Sequence, residues 1–187
     1  MKLHYNSPFI LTFSFLCIVL YFLLQATGLH HAGFFVLGGS FSFTDFSAYV
    51  SVFTYVLNHA DVEHLFGNLG FILLLGPILE ERYGTKRLFY MVSVTTLATA
   101  VLNIIFFSTG IIGASGIVFM LIILISFTNM KDGKIPITFI LVFLLYVGKE
   151  VVNSFEEDQI SQFAHILGGI CGAFFGFQSN RKAQSTE

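Results

Sequence analysis

The residues able to do chemistry in this chain fall in three places. Ser115 stands among small residues in Ile111-Ile112-Gly113-Ala114-Ser115-Gly116-Ile117-Val118-Phe119. His165 stands in Ala164-His165-Ile166-Leu167-Gly168-Gly169-Ile170-Cys171-Gly172. His64 and Asn68 are four residues apart in His64-Leu65-Phe66-Gly67-Asn68, with His59 five residues upstream of His64. A serine hydroxyl becomes a nucleophile when a base takes its proton. An imidazole titrates near neutrality and can be that base. Side-chain N–H donors can hold the oxyanion of an acyl transfer. Each group also has a plainer reading. A serine at a helix start caps free amides, small residues let helices pack closely, a lone histidine is commonly a satisfied core residue, and a polar pair can be interhelical glue.

The elements that must position these groups are set by composition. Of 187 residues, 55% are hydrophobic and 11% charged, with 24 phenylalanines and no tryptophan. Soluble domains carry about 25% charged residues. The chain therefore reads as an all-α integral membrane protein, long enough for one domain of about six spans. The net charge of −2 and the absence of a large basic cluster give no reason to expect nucleic acid as a partner. Cys17 and Cys171 lie in apolar segments and read as small hydrophobes rather than as a disulfide.

Six apolar segments are expected to span, at about residues 8–26, 62–79, 87–107, 115–128, 135–152 and 160–177, as one membrane domain over 1–178 with a polar tail over 179–187. The first is longer than a signal-peptide core and reads as a retained span. Between it and the second, Thr27 to Asp61 is broken by glycines yet rich in Phe and Tyr. This segment is expected to be a partly helical insertion anchored at the membrane interface by aromatics; the alternative is that Phe46 to Leu57 begins a long span. With six spans, Lys149 alone of the nine Lys and Arg residues falls opposite the termini, so the positive-inside rule puts both termini in the cytoplasm.

The fourth segment has an unusual length. From Ser115 to Thr128 it would rise about 21 Å at ~1.5 Å per residue, against a hydrocarbon core of about 30 Å. Ser115 is then expected roughly 10 Å below the outer surface, preceded by irregular backbone that is tolerated only where protein buries it or water reaches it. A simple re-entrant kink is one reading; a wet pocket opening outward is the other. In the sixth segment Gly168, Gly169, Gly172 and Gly176 share a face with His165, and such a stripe admits a close neighbour. Its natural partner is Gly113-Ala114-Ser115-Gly116, at matching depth. Together these features favour a base and a nucleophile over a core histidine and a cap. No acidic residue falls inside a span near His165, so a Ser–His dyad is expected rather than a triad.

These residues also match a known family. The chain resembles the rhomboid intramembrane serine proteases over about Asn58 to Phe177. Gly113-Ala114-Ser115-Gly116 looks like the family's Gly-x-Ser-Gly, the stretch around His165 is similar to its sixth-span motif, and His64 to Asn68 is similar to its His-x-x-x-Asn. Gly76-Pro77-Ile78-Leu79-Glu80 and Arg82 fit its end of the second span. The resemblance implies a six-helix bundle with a short central fourth helix and a membrane-associated first loop. It implies Ser115 as nucleophile, His165 as base, and His64, Asn68 and the backbone around Gly113 and Ser115 as oxyanion site. His59, Phe119, Gly168 and Gly172 would be supporting residues. Phe139, Phe143, Tyr146 and the acidic loop Asn153 to Asp158 would belong to a gate and cap. Two departures stand out: Phe34 to Tyr55 has no tryptophan or arginine where many members carry a Trp-Arg pair, and Phe119 can stack on the histidine but has no hydroxyl.

The implied function is hydrolysis of peptide bonds in or near transmembrane segments of membrane proteins, at a site opening to the extracytoplasmic side of what is expected to be a bacterial cytoplasmic membrane. The partners are transmembrane substrates and the bilayer; no cofactor is expected. Three rivals differ in class. A zinc site on His59, His64 and His165 would lack both His-Glu-x-x-His and an intramembrane carboxylate. A catalytically silent helix-binding relative would typically have lost Ser115 or His165. A channel would need a polar path through both leaflets, and the inner halves look apolar.

Overall fold

Apolar stretches too long for a soluble core dictate helices, because a helix satisfies its own backbone in lipid. The computed structural model describes residues 5–29, 33–107, 109–128 and 159–184, with single positions at 137, 140, 141, 144 and 145. The expected fifth span and the acidic loop that follows it otherwise lie outside the described residues, as do Phe139, Phe143 and Tyr146. In chain order the elements are α1 (Pro8–Thr27), α2 (Phe46–Thr54), a 3-10 turn (Tyr55–Leu57), α3 (Val62–Tyr83), α4 (Thr85–Phe106), α5 (Ser115–Thr128) and α6 (Gln159–Gln184). Among the described residues, α1, α3 and α4 are long and apolar enough to cross a membrane. The chain is a helical membrane protein.

The segment between α1 and α3 does not continue into a long span. Asp45 caps α2 by accepting the Ser47 N–H at 2.9 Å. The helix tightens into the 3-10 turn and stops at extended Asn58 (φ −89°, ψ 147°). Asp61 then caps α3 by accepting the His64 N–H at 2.7 Å. Phe34, Phe43, Phe46 and Phe53 stay exposed on this segment, as suits aromatics against lipid. Its inner edge is tied to the rest of the molecule. Leu37 and Ile111 exchange both backbone hydrogen bonds, at 3.0 and 3.1 Å, the Asn58 amide donates to the Phe35 carbonyl at 3.1 Å, and the Thr54 hydroxyl donates to the Phe34 carbonyl.

At the other end of the bundle, buried Glu80 of α3 accepts the Phe9 and Ile10 N–H groups of α1, both at 3.0 Å, and the Thr85 hydroxyl at 2.7 Å. These are free amides of a helix start, where a carboxylate is also favoured by the helix dipole.

Helix α5 is buried along most of its length: Ile117 to Leu124 are all within 8% exposure. Its closest neighbour is α6, where a Cβ on Gly168 would overlap the Gly116 carbonyl and one on Gly172 would lie 2.5 Å from the Met120 carbonyl. Glycine is needed at both positions for helices this close. The helical backbone of α6 runs on to Gln184, past the expected end at Phe177. Nothing between Ser179 and Gln184 breaks a helix, and polar residues carry one readily beyond the apolar core.

Candidate active site

Five elements meet around Ser115. The segment Gly110–Ala114 enters α5 in irregular conformation, held by the Leu37–Ile111 pairing and by the Gly113 N–H donating to the Tyr55 carbonyl at 3.0 Å. Gly113 adopts φ +108°, a region L side chains avoid. Ser115 follows as the first residue of α5 and is half-buried.

His165 is brought to the same end of α5 by the α5–α6 crossing. The Ala164 carbonyl lies 3.2 Å from where a Gly116 Cβ would be. The half-buried His165 ring stacks on Phe119, with centroids 4.3 Å apart and planes 8° from parallel. Phe119 sits one turn beyond Ser115, so the imidazole lies against the first turn of α5.

His64 and Asn68 come from α3 and meet the backbone before Ser115. A Cβ on Gly113 would lie 2.6 Å from His64 Cε1, 2.7 Å from His64 Nε2 and 3.7 Å from Asn68 Nδ2. Asn68 is buried, and among the described residues its Nδ2 has no hydrogen-bond partner. A buried amide donor without an acceptor costs of order 1–3 kcal/mol, so this one is available to an incoming acceptor.

Ser115 opens on a cavity of about 240 Å³ lined by Tyr55, His64, Thr95, Thr96, Thr99, Gly113, Gly116 and Ala164 among others. A polar stripe on α4, of which Thr95, Thr96 and Thr99 line the cavity, is a feature that sequence reasoning missed. Thr95, Thr99 and Asn103 recur every four residues on α4, and with Thr96 they are buried to 4% exposure or less. Asn103 Nδ2 donates to the Thr109 carbonyl at 3.2 Å, anchoring the segment that leads to Ser115. The available signal was the four-residue recurrence of polar side chains in an apolar span.

The remaining supporting residues find places as well. Gly168 and Gly172 form the α5 contact described above. His59 is buried, its ring edge-on to His64 at 5.1 Å and 73°. Among the described residues no group of three or more His, Cys, Asp or Glu is arranged to hold a metal ion.

Comparison with known proteins gives the chain's family. The model of the rhomboid domain matches residues 47–181, and the chain belongs to the rhomboid family. Rhomboid-related protein 1 of Caenorhabditis elegans is 29% identical over 136 residues. That match covers 66% of this chain and 38% of the relative.

Proposed function

We propose that this chain is an intramembrane serine endopeptidase working through a Ser115–His165 dyad. The observation that carries this reading is the convergence of His64 and the Asn68 amide, unpartnered among the described residues, on Gly113, two residues before a serine that lines a cavity. Ser115 Oγ attacks a peptide carbonyl near the outer end of a substrate's transmembrane segment, and His165 takes the proton. The oxyanion is held by the Ser115 N–H with the His64 and Asn68 side chains; donors so placed contribute about 10²–10³-fold each in kcat. His165 then protonates the leaving amine, and water hydrolyses the acyl-enzyme. The substrate helix must unwind locally, because hydrogen-bonded helical carbonyls are not open to attack.

In this reading the chain makes six spans with both termini in the cytoplasm of a bacterial cell, and the site opens outward. The basic residues Arg82 at the end of α3 and Lys86 and Arg87 at the start of α4 then face the cytoplasm, in line with the positive-inside rule.

A serine-reactive fluorophosphonate tests the dyad directly. It should label the native protein in membranes, leave Ser115→Ala unlabelled and label His165→Ala far more slowly. Equal labelling of the wild type and His165→Ala would overturn activation by that base.

A further inference from the structure

His59 is the buried polar side chain to which the mechanism above gives no task. It lies in the short stretch between the 3-10 turn and α3 and is 1% exposed. Among the described residues neither ring nitrogen makes a well-formed hydrogen bond, the Leu57 backbone being the polar group within reach. An apolar ring of similar size would fill the same space without that cost, which is of order 1–3 kcal/mol for a buried unsatisfied group. Burial, reinforced by the neighbouring His64 ring and opposed by the Leu57 backbone and Asp61, pushes the His59 imidazole down to about 4. The ring is therefore neutral at physiological pH, with one N–H and one lone pair.

It meets the His64 ring edge to face at 5.1 Å and 73°. In that geometry the positive edge of one ring meets the electron-rich face of the other, and an N–H edge binds a face more strongly than a C–H edge. The same His64 ring touches Gly113, where a Cβ would come within 2.6 Å of it. The His64 side chain thus has a ring on one contact and the backbone leading to Ser115 on another. Its main chain is fixed separately, by the Asp61 cap.

We propose that His59 is a positioning residue that holds the His64 ring in the orientation from which it donates to the oxyanion beside Gly113 and Ser115. The proposal rests on the endopeptidase reading. Because His59 touches neither substrate nor reacting atoms, its effect is confined to a step that uses His64. A displaced donor loses stabilisation of the transition state with little effect on ground-state binding.

The test is steady-state cleavage of a model transmembrane substrate by the full chain in proteoliposomes. His59→Ala should lower kcat by about ten- to a hundredfold, the scale set by small misplacements of catalytic groups, with KM unchanged. His59→Phe, which keeps an aromatic edge, should recover part of the loss. The double variant His59→Ala/His64→Ala should be no slower than His64→Ala alone. In 15N-labelled protein the His64 ring resonances should shift in His59→Ala while those of His165 hold. Full activity in His59→Ala, losses that multiply in the double variant, or unmoved His64 resonances would each overturn the positioning role. If instead the wild type cleaves no better than Ser115→Ala, the endopeptidase reading falls and this proposal with it. Dead Ser115 and His165 variants beside a fully active His59→Ala would sink the proposal alone.

Discussion

The His165 ring lies flat on Phe119, 4.3 Å between centroids and 8° from parallel, so a residue of α6 is oriented by a residue of α5 one turn beyond Ser115. Two constraints act together there. The Gly116–Gly168 contact fixes how closely the helices approach, and the stacked rings fix the imidazole's rotation about its own side-chain bonds. Aromatic pairs of this kind contribute about 0.5–1.5 kcal/mol.

Losing that orientation should appear in the chemical step. Phe119→Ala is expected to lower kcat by about tenfold, the equivalent of ~1.4 kcal/mol, with KM nearly unchanged, and Phe119→Tyr should keep most of the rate. The measurement is steady-state cleavage in detergent or liposomes. A Phe119→Ala variant as fast as the wild type would show that packing against α5 alone is enough to aim His165.

Gly113 offers a sharper test, because two independent arguments forbid a side chain there. Its φ of +108° costs a non-glycine residue of order 1–3 kcal/mol. Its missing Cβ would also press on His64 at 2.6 Å. Gly113→Ala should therefore rotate His64 away and reduce kcat by about 10²-fold, the cost of losing one oxyanion donor. Helical content by circular dichroism should stay unchanged. A fully active Gly113→Ala would mean that His64 can move aside without consequence.

The glycines of α6 should not be equivalent, although they share a stripe. A Cβ on Gly168 would overlap the Gly116 carbonyl, whereas one on Gly169 would meet only Ile123 Cγ1 at an ordinary 3.6 Å. Gly168→Ala must push α5 and α6 apart, and a loss of several °C in Tm together with most of the activity is expected. Gly169→Ala should be tolerated and, through its better helix propensity, gain up to about 1 kcal/mol. Equal Tm values for the two variants would contradict the close crossing.

These contrasts also mark where sequence reasoning reaches its limit. Ser115, His165, His64 and Asn68 stood out because polar groups are scarce in apolar spans, and a four-residue spacing or a glycine stripe tells which helix face they share. The α4 stripe of Thr95, Thr99 and Asn103 obeys the same rule, but threonine is uncharged and common in membrane helices, so it drew no notice. The Leu37–Ile111 pairing left no trace in the sequence, since main-chain hydrogen bonds between distant segments ask nothing of the side chains. The helix break at Leu57 was open to either reading, because the aromatic run across Phe46 to Leu57 suits a span and an interfacial helix equally. Extended Asn58 and the Asp61 cap show that the helix ends there and α3 starts anew.

In the sequence Glu80 marks the end of a span and fits the family's motif there, and the structure gives it more to do. It is 3% exposed, and its two oxygens take the Phe9 and Ile10 amides of α1 together with the Thr85 hydroxyl. One carboxylate thus closes the start of α1 onto the α3–α4 turn, some seventy residues away in sequence. Hydrogen bonds to a charged group contribute about 1.5–3 kcal/mol each, though bonds sharing one acceptor group do not add in full. Glu80→Ala should therefore destabilise the protein by about 2–4 kcal/mol and lower Tm by roughly 5–15 °C. Glu80→Gln keeps an acceptor oxygen but loses the charge, and it should fall between the two. The proposed site lies among α3, α5 and α6 at the other end of the bundle, so labelling of Ser115 in the folded Glu80→Ala protein should proceed at the wild-type rate. Unchanged thermal stability in Glu80→Ala would show that water replaces the carboxylate at the α1 start without loss.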